Sequence, residues 1–559
     1  MPEKRNFVGR WSAVRIRRPK KTMKRLLALA IGAFIVTLFL IFKTGELQGN
    51  GTGIHRLNLA GMFQQPTMDP IVQKYQGKER MPPTIENMDE EPVSHTAEFL
   101  LEYYLTKKTD GIEITWLKNN NTRKLLLQVL DDHLLMMVEV DVITKKDKSS
   151  NGTAIIAPTN AKDEYELKLK SFLKYLAVYS NKGVKINIDS LETLQFALQT
   201  LKTMQYQLHS PIWLSINVLQ GPNSKKEVLD FPKAVNLIIE YYPPVSLSLG
   251  WSTELQSEPV KSGYNWYHVI SMAKLCIKFQ QRVSFSVRAI YGVHSIHQIK
   301  WLVSLSSRFS VTVWADESDS LSVSVLENFR QETDPSKVFY NLPKQLLDEL
   351  KSTETAKSNP VGKWDRTLWK PSILDDKSLA FLGTEHAVLE GGNSWLVSKI
   401  SHQPAPPNRK YVQVRGNVQF INSPKDKKHL SKFVLFIRSS GVNPPQAKDV
   451  HGVRLIIMGD GTVTFSSQNL KKAEVYKPQT MAKLPSGSCV SFNVTDSGEN
   501  EPILCSLSII DCESRKPVDS SEVSLHLRVP YDSDRQMFYI AVTGGTATEA
   551  VVVENLIIS

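Results

Sequence analysis

The sequence predicts a multidomain chain: an N-terminal transmembrane helix, a (β/α)8 (TIM) barrel and a C-terminal antiparallel β-sandwich or jelly roll. Three observations predict it. A basic segment runs straight into seventeen uncharged residues, Leu26–Phe42. Short apolar runs then alternate with stretches of helical period from about residue 112 to residue 352. From about residue 364 the helical stretches vanish and alternating, period-2 segments take over. At 559 residues the chain also exceeds what one core organises, so several domains are expected.

The N-terminal part comes first. Residues 1–25 hold ten Lys or Arg against the single acid Glu3, a net of +9 out of a total of +12. The rest of the chain therefore carries only +3, with no basic stripe interleaved with aromatics, which excludes nucleic acid as the partner. The segment 26–42 spans roughly 25 Å as a helix, enough for a thin bilayer. A cleaved signal peptide is the alternative. The basic region is long for that, however, and Lys43-Thr44-Gly45-Glu46 offers no small-residue cleavage site. The positive flank keeps the N-terminus cytosolic. The expectation is a single-pass type II signal anchor, with the bulk of the chain extracellular or in the secretory lumen. Residues 43–95, rich in Gly, Pro and Gln, read as a stalk. Glycosylation sequons at Asn50, Asn120, Asn151 and Asn493 fit that compartment.

The barrel is placed at 96–352. Its expected strands are Ile112–Trp116, Met136–Val142, Val184–Ile188, Ile212–Val218, Ser246–Trp251, Val283–Ala289, Ser310–Ala315 and Val338–Leu342. Helical stretches separate them, and nearly continuous apolar strands covered by helices indicate a parallel sheet. Eight such units make a barrel, with an open doubly wound sheet as the alternative. Barrel enzymes carry their chemistry at the C-terminal strand ends. The polar residues there are Lys118, Glu139, Asp141, Lys185, Asn187, Asp189, Asn217, Arg288, Asp316 and Asn341, accompanied by Trp116, Trp251 and Trp314.

Val138-Glu139-Val140-Asp141-Val142 stands out among these strands. Residues two apart on a strand share a face, so Glu139 and Asp141 project together while the valines point the other way. Paired carboxylates on an apolar strand need a cation, a shared proton or water. Glu139 and Asp141 are thus the candidate ligands of a divalent cation, calcium or magnesium, if any cofactor is held. Lys185, Lys118, Asn187 and Arg288 are the pocket candidates around them, and Lys185 or Lys118 can replace the metal as counter-charge.

A Ser-, Thr-, Lys- and Pro-rich linker at 353–363 leads to the β-sandwich at 364–559. Its expected strands run from Tyr411–Ile421 to Val551–Ile558, with turns such as Gly459-Asp-Gly461. The four cysteines form no CxxC pattern, which argues against structural zinc. Cys489 and Cys505 flank the turn-rich stretch 495–502, so a hairpin would make a Cys489–Cys505 disulfide possible.

Six motifs in order give the barrel a resemblance: Asp110-Gly-Ile-Glu-Ile-Thr-Trp116, Val138-Glu-Val-Asp-Val142, Gly183-Val-Lys-Ile186, Pro211-Ile-Trp213, Leu219-Gln-Gly-Pro-Asn223 and Leu247-Ser-Leu-Gly-Trp-Ser252. Over about residues 108–350 the chain resembles the menorin family, whose members look like relatives of glycerophosphodiester phosphodiesterase and phospholipase C-type barrels. The resemblance implies a Glu-x-Asp metal site at Glu139 and Asp141, with imidazoles after strands 1 and 2 as general acid and base. This chain departs from that pattern. Trp116-Leu117-Lys118 stands where Trp-Tyr-His is usual, and Ile156-Ala157-Pro158 where Ala-His-Pro is usual. Lys185-Ile-Asn187-Ile-Asp189 and Ser215-Ile-Asn217 also differ from the usual strands 3 and 4. The resemblance therefore implies a catalytically degenerate barrel in cell-surface recognition or signalling, with an extracellular protein or glycan as partner. Two other readings stay open: a metal-dependent phosphodiesterase with altered acid–base residues, and a glycan-binding or glycan-processing protein of the secretory pathway.

Overall fold

The computed structural model describes Leu100 and residues 110–559 apart from internal stretches, the longest being 119–128, 159–166, 354–367, 403–410, 422–430, 440–450, 469–478 and 530–538. The basic tail, the segment 26–42, the stalk, the sequons Asn50, Asn120 and Asn151, and most of the linker 353–363 lie outside the described residues. Among the described residues no helix is long and apolar enough to cross a membrane.

Eight parallel strands form a nearly closed, barrel-like sheet. They are β1 (Trp116–Lys118), β2 (Met137–Lys146), β4 (Gly183–Ile188), β5 (Ile212–Gln220), β6 (Ser246–Ser252), β7 (Val283–Arg288), β8 (Phe309–Trp314) and β9 (Val338–Asn341), hydrogen-bonded in that order. A ninth strand, β3 (Gly152–Ile156), pairs antiparallel with the far end of β2. The helices between them are α1 (Leu169–Tyr179), α2 (Leu191–Met204), α3 (Phe231–Tyr241), α4 (Trp266–Cys276), the short α5 (Ala289–Gly292), α6 (Ile296–Ser304), α7 (Val323–Glu332) and α8 (Lys344–Ser352). Their starts are written in the sequence. Ser190 accepts from Thr193 N at 3.2 Å and Asp230 from Lys233 N at 3.2 Å, each side chain capping a helix N-terminus.

The first expected strand is corrected. Gly111–Glu113 is a 3-10 turn, and only Trp116–Lys118 pairs with β2. Asp110 Oδ1 accepts from Ile112 N at 3.1 Å and closes the turn. Gly111 lies so close to Val338 that a Cβ would sit 2.0 Å from its carbonyl oxygen. The β2–β3 hairpin likewise replaces a loop expected after strand 2. There β2 runs on past Val142 through Ile143-Thr-Lys-Lys146, and β3 pairs along that extension.

The C-terminal part is two seven-stranded antiparallel sheets. One orders β10 (Trp369–Ile373), β13 (Ser394–Ser398), β22 (Tyr539–Gly544), β15 (Lys432–Ser439), β16 (Gly452–Met458), β17 (Thr462–Gln468) and β18 (Gln479–Thr480). The other orders β11 (Leu379–Leu382), β12 (His386–Glu390), β23 (Ala550–Ile558), β14 (Val412–Ile421), β19 (Ser488–Asp496), β20 (Ile503–Asp511) and β21 (Val523–Leu527). Inward residues such as Val414, Leu435, Leu455, Phe492 and Leu507 share one core. Alternation along β14, β16, β19 and β20 gave these strands away. Strands β10–β13 escaped it, because β12 and β13 are buried along their whole length.

The Cys489–Cys505 disulfide is corrected to Cys489–Cys512, with Cα atoms 5.1 Å apart, and Cys505 is a buried free thiol. In the β19–β20 register Cys489 faces Ile510 and Cys505 faces Val494. Cys505 packs in the sandwich core with Val490, Phe492 and Val494, whereas Cys489, one residue before Val490, projects from the opposite face. Asn493, in the remaining sequon, is half-buried in the middle of β19.

Candidate functional site

Alternation divides each barrel strand into a helix-facing and an interior set. Val138, Val140, Val142, Val184, Ile186, Leu214, Leu247 and Val311 pack into the main core with the helices. Glu139, Asp141, Lys185, Asn187, Ser248, Ser284 and Arg288 fall on the other face. The floor of the interior is apolar: Leu100, Ile114, Met137, Trp213 and Phe339 cluster at the N-terminal strand ends. Trp213 meets Trp116 and Phe339 edge-on, with ring centroids 5.8 and 5.6 Å away.

Above this floor the interior is polar, unlike the branched aliphatic layers that usually fill such barrels. Glu139 is 7% exposed and Lys185 2%. Lys185 Nζ donates to Glu139 Oε1 at 3.2 Å. Asn187 Nδ2 donates to Glu139 Oε1 and to Asp141 Oδ1, both at 2.8 Å. From the far end of the sheet, Asn341 Nδ2 donates to Glu139 Oε2. Removing a carboxylate and an ammonium from water costs several kcal/mol each, and Glu139 is tolerated because both its oxygens are engaged. A band of hydroxyls continues around the wall. Ser284 Oγ and Thr312 Oγ1 are 2.8 Å apart, while the fully buried Ser248 Oγ has no hydrogen-bond partner among the described residues.

Four of the expected residues thus meet: Glu139, Asp141, Lys185 and Asn187. Arg288 does not join them. Its guanidinium donates to Asp319 at 2.6 and 3.0 Å and to Asp316 at 3.3 Å, and stacks over Trp314 with 5.1 Å to the ring centroid. Its charge is spent holding the loop after β8. Lys118 is the register neighbour of Glu139 on β1, but the ion pair goes to Lys185, the neighbour on β4. Asn341 is the partner that no local pattern pairs with Glu139; its only signal is a polar residue closing the last apolar strand.

The Menorin N-terminal domain matches residues 110–347 and the Menorin C-terminal domain residues 369–556. The human protein FAM151B is 32% identical over 270 residues, which are 47% of this chain and 96% of that protein. The chain belongs to the menorin family. Membership extends beyond the barrel, where the motifs lay, into the β-sandwich. Among solved structures, a glycerophosphodiester phosphodiesterase from Parabacteroides distasonis aligns at 11% identity over 44% of this chain and 98% of that chain, with a TM-score of 0.27. The carbohydrate recognition domain of Emp46p aligns at 10% identity over 34% of this chain and 85% of that chain, with a TM-score of 0.23. Likenesses this slight bear on neither ligand nor activity.

In this menorin-family barrel the residues around the carboxylate pair do not suit a divalent cation. An ammonium lies at the Glu139 oxygen that such a cation would bind, and amide N–H groups take the remaining positions named above. Hard cations are held by oxygens; Lys185 supplies none, and the Asn187 and Asn341 amides turn their nitrogens to the carboxylates. Among the described residues no group of three or more His, Cys, Asp or Glu side chains is placed to hold a metal. Imidazoles are also missing from the described barrel strands. His268 belongs to the first turn of α4, where Nδ1 accepts from Asn265 N at 3.1 Å and Asn265 Oδ1 accepts from His268 N at 3.1 Å. Burial pushes its pKa down to about 4, so the ring stays neutral and serves as a cap. His209 and His294 are exposed, and His297 lies on α6.

Proposed function

We propose that this menorin-family chain is a catalytically degenerate barrel acting in cell-surface recognition or signalling, carried on a single-pass type II anchor at 26–42. The reading is supported above all by the engagement of Glu139: Lys185, Asn187 and Asn341 satisfy the carboxylate that a phosphodiesterase would give to metal. The residues standing where the family relatives carry imidazoles, Lys118 and Ala157, support it further. General acid–base assistance contributes about 10²–10⁴-fold per group, so a barrel lacking both keeps little turnover. The bulk of the chain then lies outside the cytosol and meets an extracellular protein or glycan.

Purified full-length protein should release no product from a glycerophosphodiester such as glycerophosphocholine, with or without millimolar calcium or magnesium. Titration calorimetry should find no binding of either ion. Metal-dependent hydrolysis that disappears in Asp141→Ala would sink the reading in favour of an active phosphodiesterase. The anchor is tested separately. The protein should resist carbonate extraction from membranes, and protease added outside sealed vesicles of cytosolic orientation should remove only the basic tail.

A further inference from the structure

A large cavity among the described residues lies away from the barrel mouth. It is a cleft of about 960 Å³ where the outer wall of the barrel meets the sandwich. The barrel side is built from α6, α7 and the turn Pro335–Lys337. The sandwich side is built from the β11–β12 turn, the turn after β20 and the residues at Asn555. Its volume is at the upper end for small-molecule sites, roughly 300–1,000 Å³.

The walls settle their own charges. Lys300 Nζ donates to Glu332 at 3.2 Å and across the seam to Glu385 at 2.9 Å. Asp334 Oδ1 accepts from Ser336 N at 3.0 Å, and Lys337 Nζ donates to the Ser306 carbonyl at 3.3 Å. Burial keeps the His297 pKa below its ordinary value, so this ring is neutral too, and its buried Nδ1 has no hydrogen-bond partner among the described residues. Facing the space are uncharged hydrogen-bonding groups, among them Asn328, Thr333, Thr384 and Asn555, interspersed with apolar side chains such as Ile296, Ile299 and Val303.

The sandwich wall is held in place by unusual means. Arg515 and Asn555 both adopt left-handed backbone, with φ of 57° and 48°, and both line the cleft. With its amide oxygen turned toward the guanidinium, Asn555 accepts from Arg515 Nη2 at 3.1 Å. The turn carrying Arg515 is braced by the Cys489–Cys512 disulfide and by Asp511 Oδ1, which accepts from Ser514 N at 2.6 Å. Non-glycine residues in this region persist only where the surroundings enforce them, and they gather at ligand sites.

We propose that this cleft binds a neutral saccharide. An anionic ligand would meet Glu332, Asp334 and Glu385 as well as Lys300, Lys337 and Arg515, so the lining offers it no net charge. An apolar one would leave the amides and hydroxyls unpaired. A peptide docking by strand addition needs a free strand edge, and β8 and β23, which bring Val311 and Asn555 to the lining, are paired on both sides. A polyhydroxylated ring both donates and accepts, which matches amide, hydroxyl and neutral imidazole side chains. Among the described residues the lining has no Trp, Tyr or Phe, so affinity rests on hydrogen bonds and is modest, in the high-micromolar to millimolar range.

The test uses the full chain in detergent on a printed array of neutral and sulfated oligosaccharides, followed by titration of the best neutral oligosaccharide. A glycoprotein with one neutral N-glycan, and the same protein after enzymatic deglycosylation, separates a protein-borne source from a free one. Neutral oligosaccharides should bind and sulfated ones should not. Asn328→Trp, on an exposed helical position, fills the space. Asn555→Gly keeps the left-handed backbone and deletes the amide. Each should weaken binding at least tenfold with an unchanged melting temperature, whereas Lys118→Ala, in the barrel, should bind as the native chain does. Absence of neutral saccharide binding, binding that survives both cleft variants, or binding of sulfated sugars alone overturns the proposal. None of these outcomes touches the barrel reading, whose test is hydrolysis and metal binding.

Discussion

At the scale of single residues, the chain shows how a buried carboxylate changes meaning with its neighbours. The i, i+2 spacing of Glu139 and Asp141 was enough to place both on one face. Their partners were only partly legible: Lys185 and Asn187 lie at matching positions on the adjacent strand, whereas Asn341 reaches Glu139 from 202 residues away. No local pattern encodes that last pairing. If the network is held by mutual compensation, Lys185→Met should lower stability by about 3–5 kcal/mol, because Glu139 loses its counter-charge. Adding Glu139→Gln should restore a good part of it, read by urea denaturation. Additive losses in the double variant would contradict the coupling. His268 makes a second residue-scale prediction. Its pKa is depressed from 6.5 to about 4 by burial, so the unfolded chain binds the extra proton between those values. Its contribution is intact above pH 6.5 and is lost as pH falls toward 4, by roughly 1–3 kcal/mol. Gln at the same helix position accepts the same backbone N–H. His268→Gln should therefore match the native melting temperature at pH 7.5 and exceed it increasingly below pH 6.

At the scale of elements, periodicity carried most of the information, and it failed where burial removed the contrast it depends on. Strands β14, β16, β19 and β20 alternate because one face meets the core and the other meets water. Strands β12 and β13 are covered on both faces, so nothing alternates. The disulfide failed for a different reason. The register is set by the turn's own centre, which pairs Cys489 with Ile510 and Cys505 with Val494, so the two cysteines lie five positions apart along the hairpin and on opposite faces. Non-reducing peptide mapping should recover a Cys489–Cys512 cross-linked peptide and alkylate Cys505 only after denaturation. Burial raises the Cys505 pKa to about 12, which further protects it as a neutral thiol in the native state. The bridge closes a loop with a separation of 23 residues. Its loss in Cys512→Ser should cost about 3–4 kcal/mol, mostly through the unfolded chain. Cys505→Ala should leave the cross-link intact.

At the scale of the molecule, the sandwich is fastened to the barrel through apolar surface as well as ion pairs. Phe381, Val388, Ala550 and Val552 belong to sandwich strands yet pack in the barrel's core cluster. Trp301 on α6 meets Phe381 edge-on, with ring centroids 5.9 Å apart, and Trp266 on α4 lies 5.1 Å from His386. Lys274 to Glu390 at 2.6 Å and Lys300 to Glu385 at 2.9 Å tie the rim of the same seam. A change of texture near residue 364 therefore marks where the architecture changes without marking an independent folding unit. Neither domain can expose this face to water without presenting Phe381 and Trp301, 2% and 1% exposed, as an apolar patch. The full chain should accordingly unfold from 110 onward in one cooperative calorimetric transition, with van't Hoff and calorimetric enthalpies in agreement. Phe381→Ala removes the central contact of the seam and should cost roughly 3–5 kcal/mol. Phe381→Asp buries an unpaired charge there and should split the transition in two, the sandwich melting apart from the barrel. Two well-separated transitions in the native chain would show that the seam transmits no stability, and the saccharide cleft beside it would then lose the rigid walls on which its geometry depends.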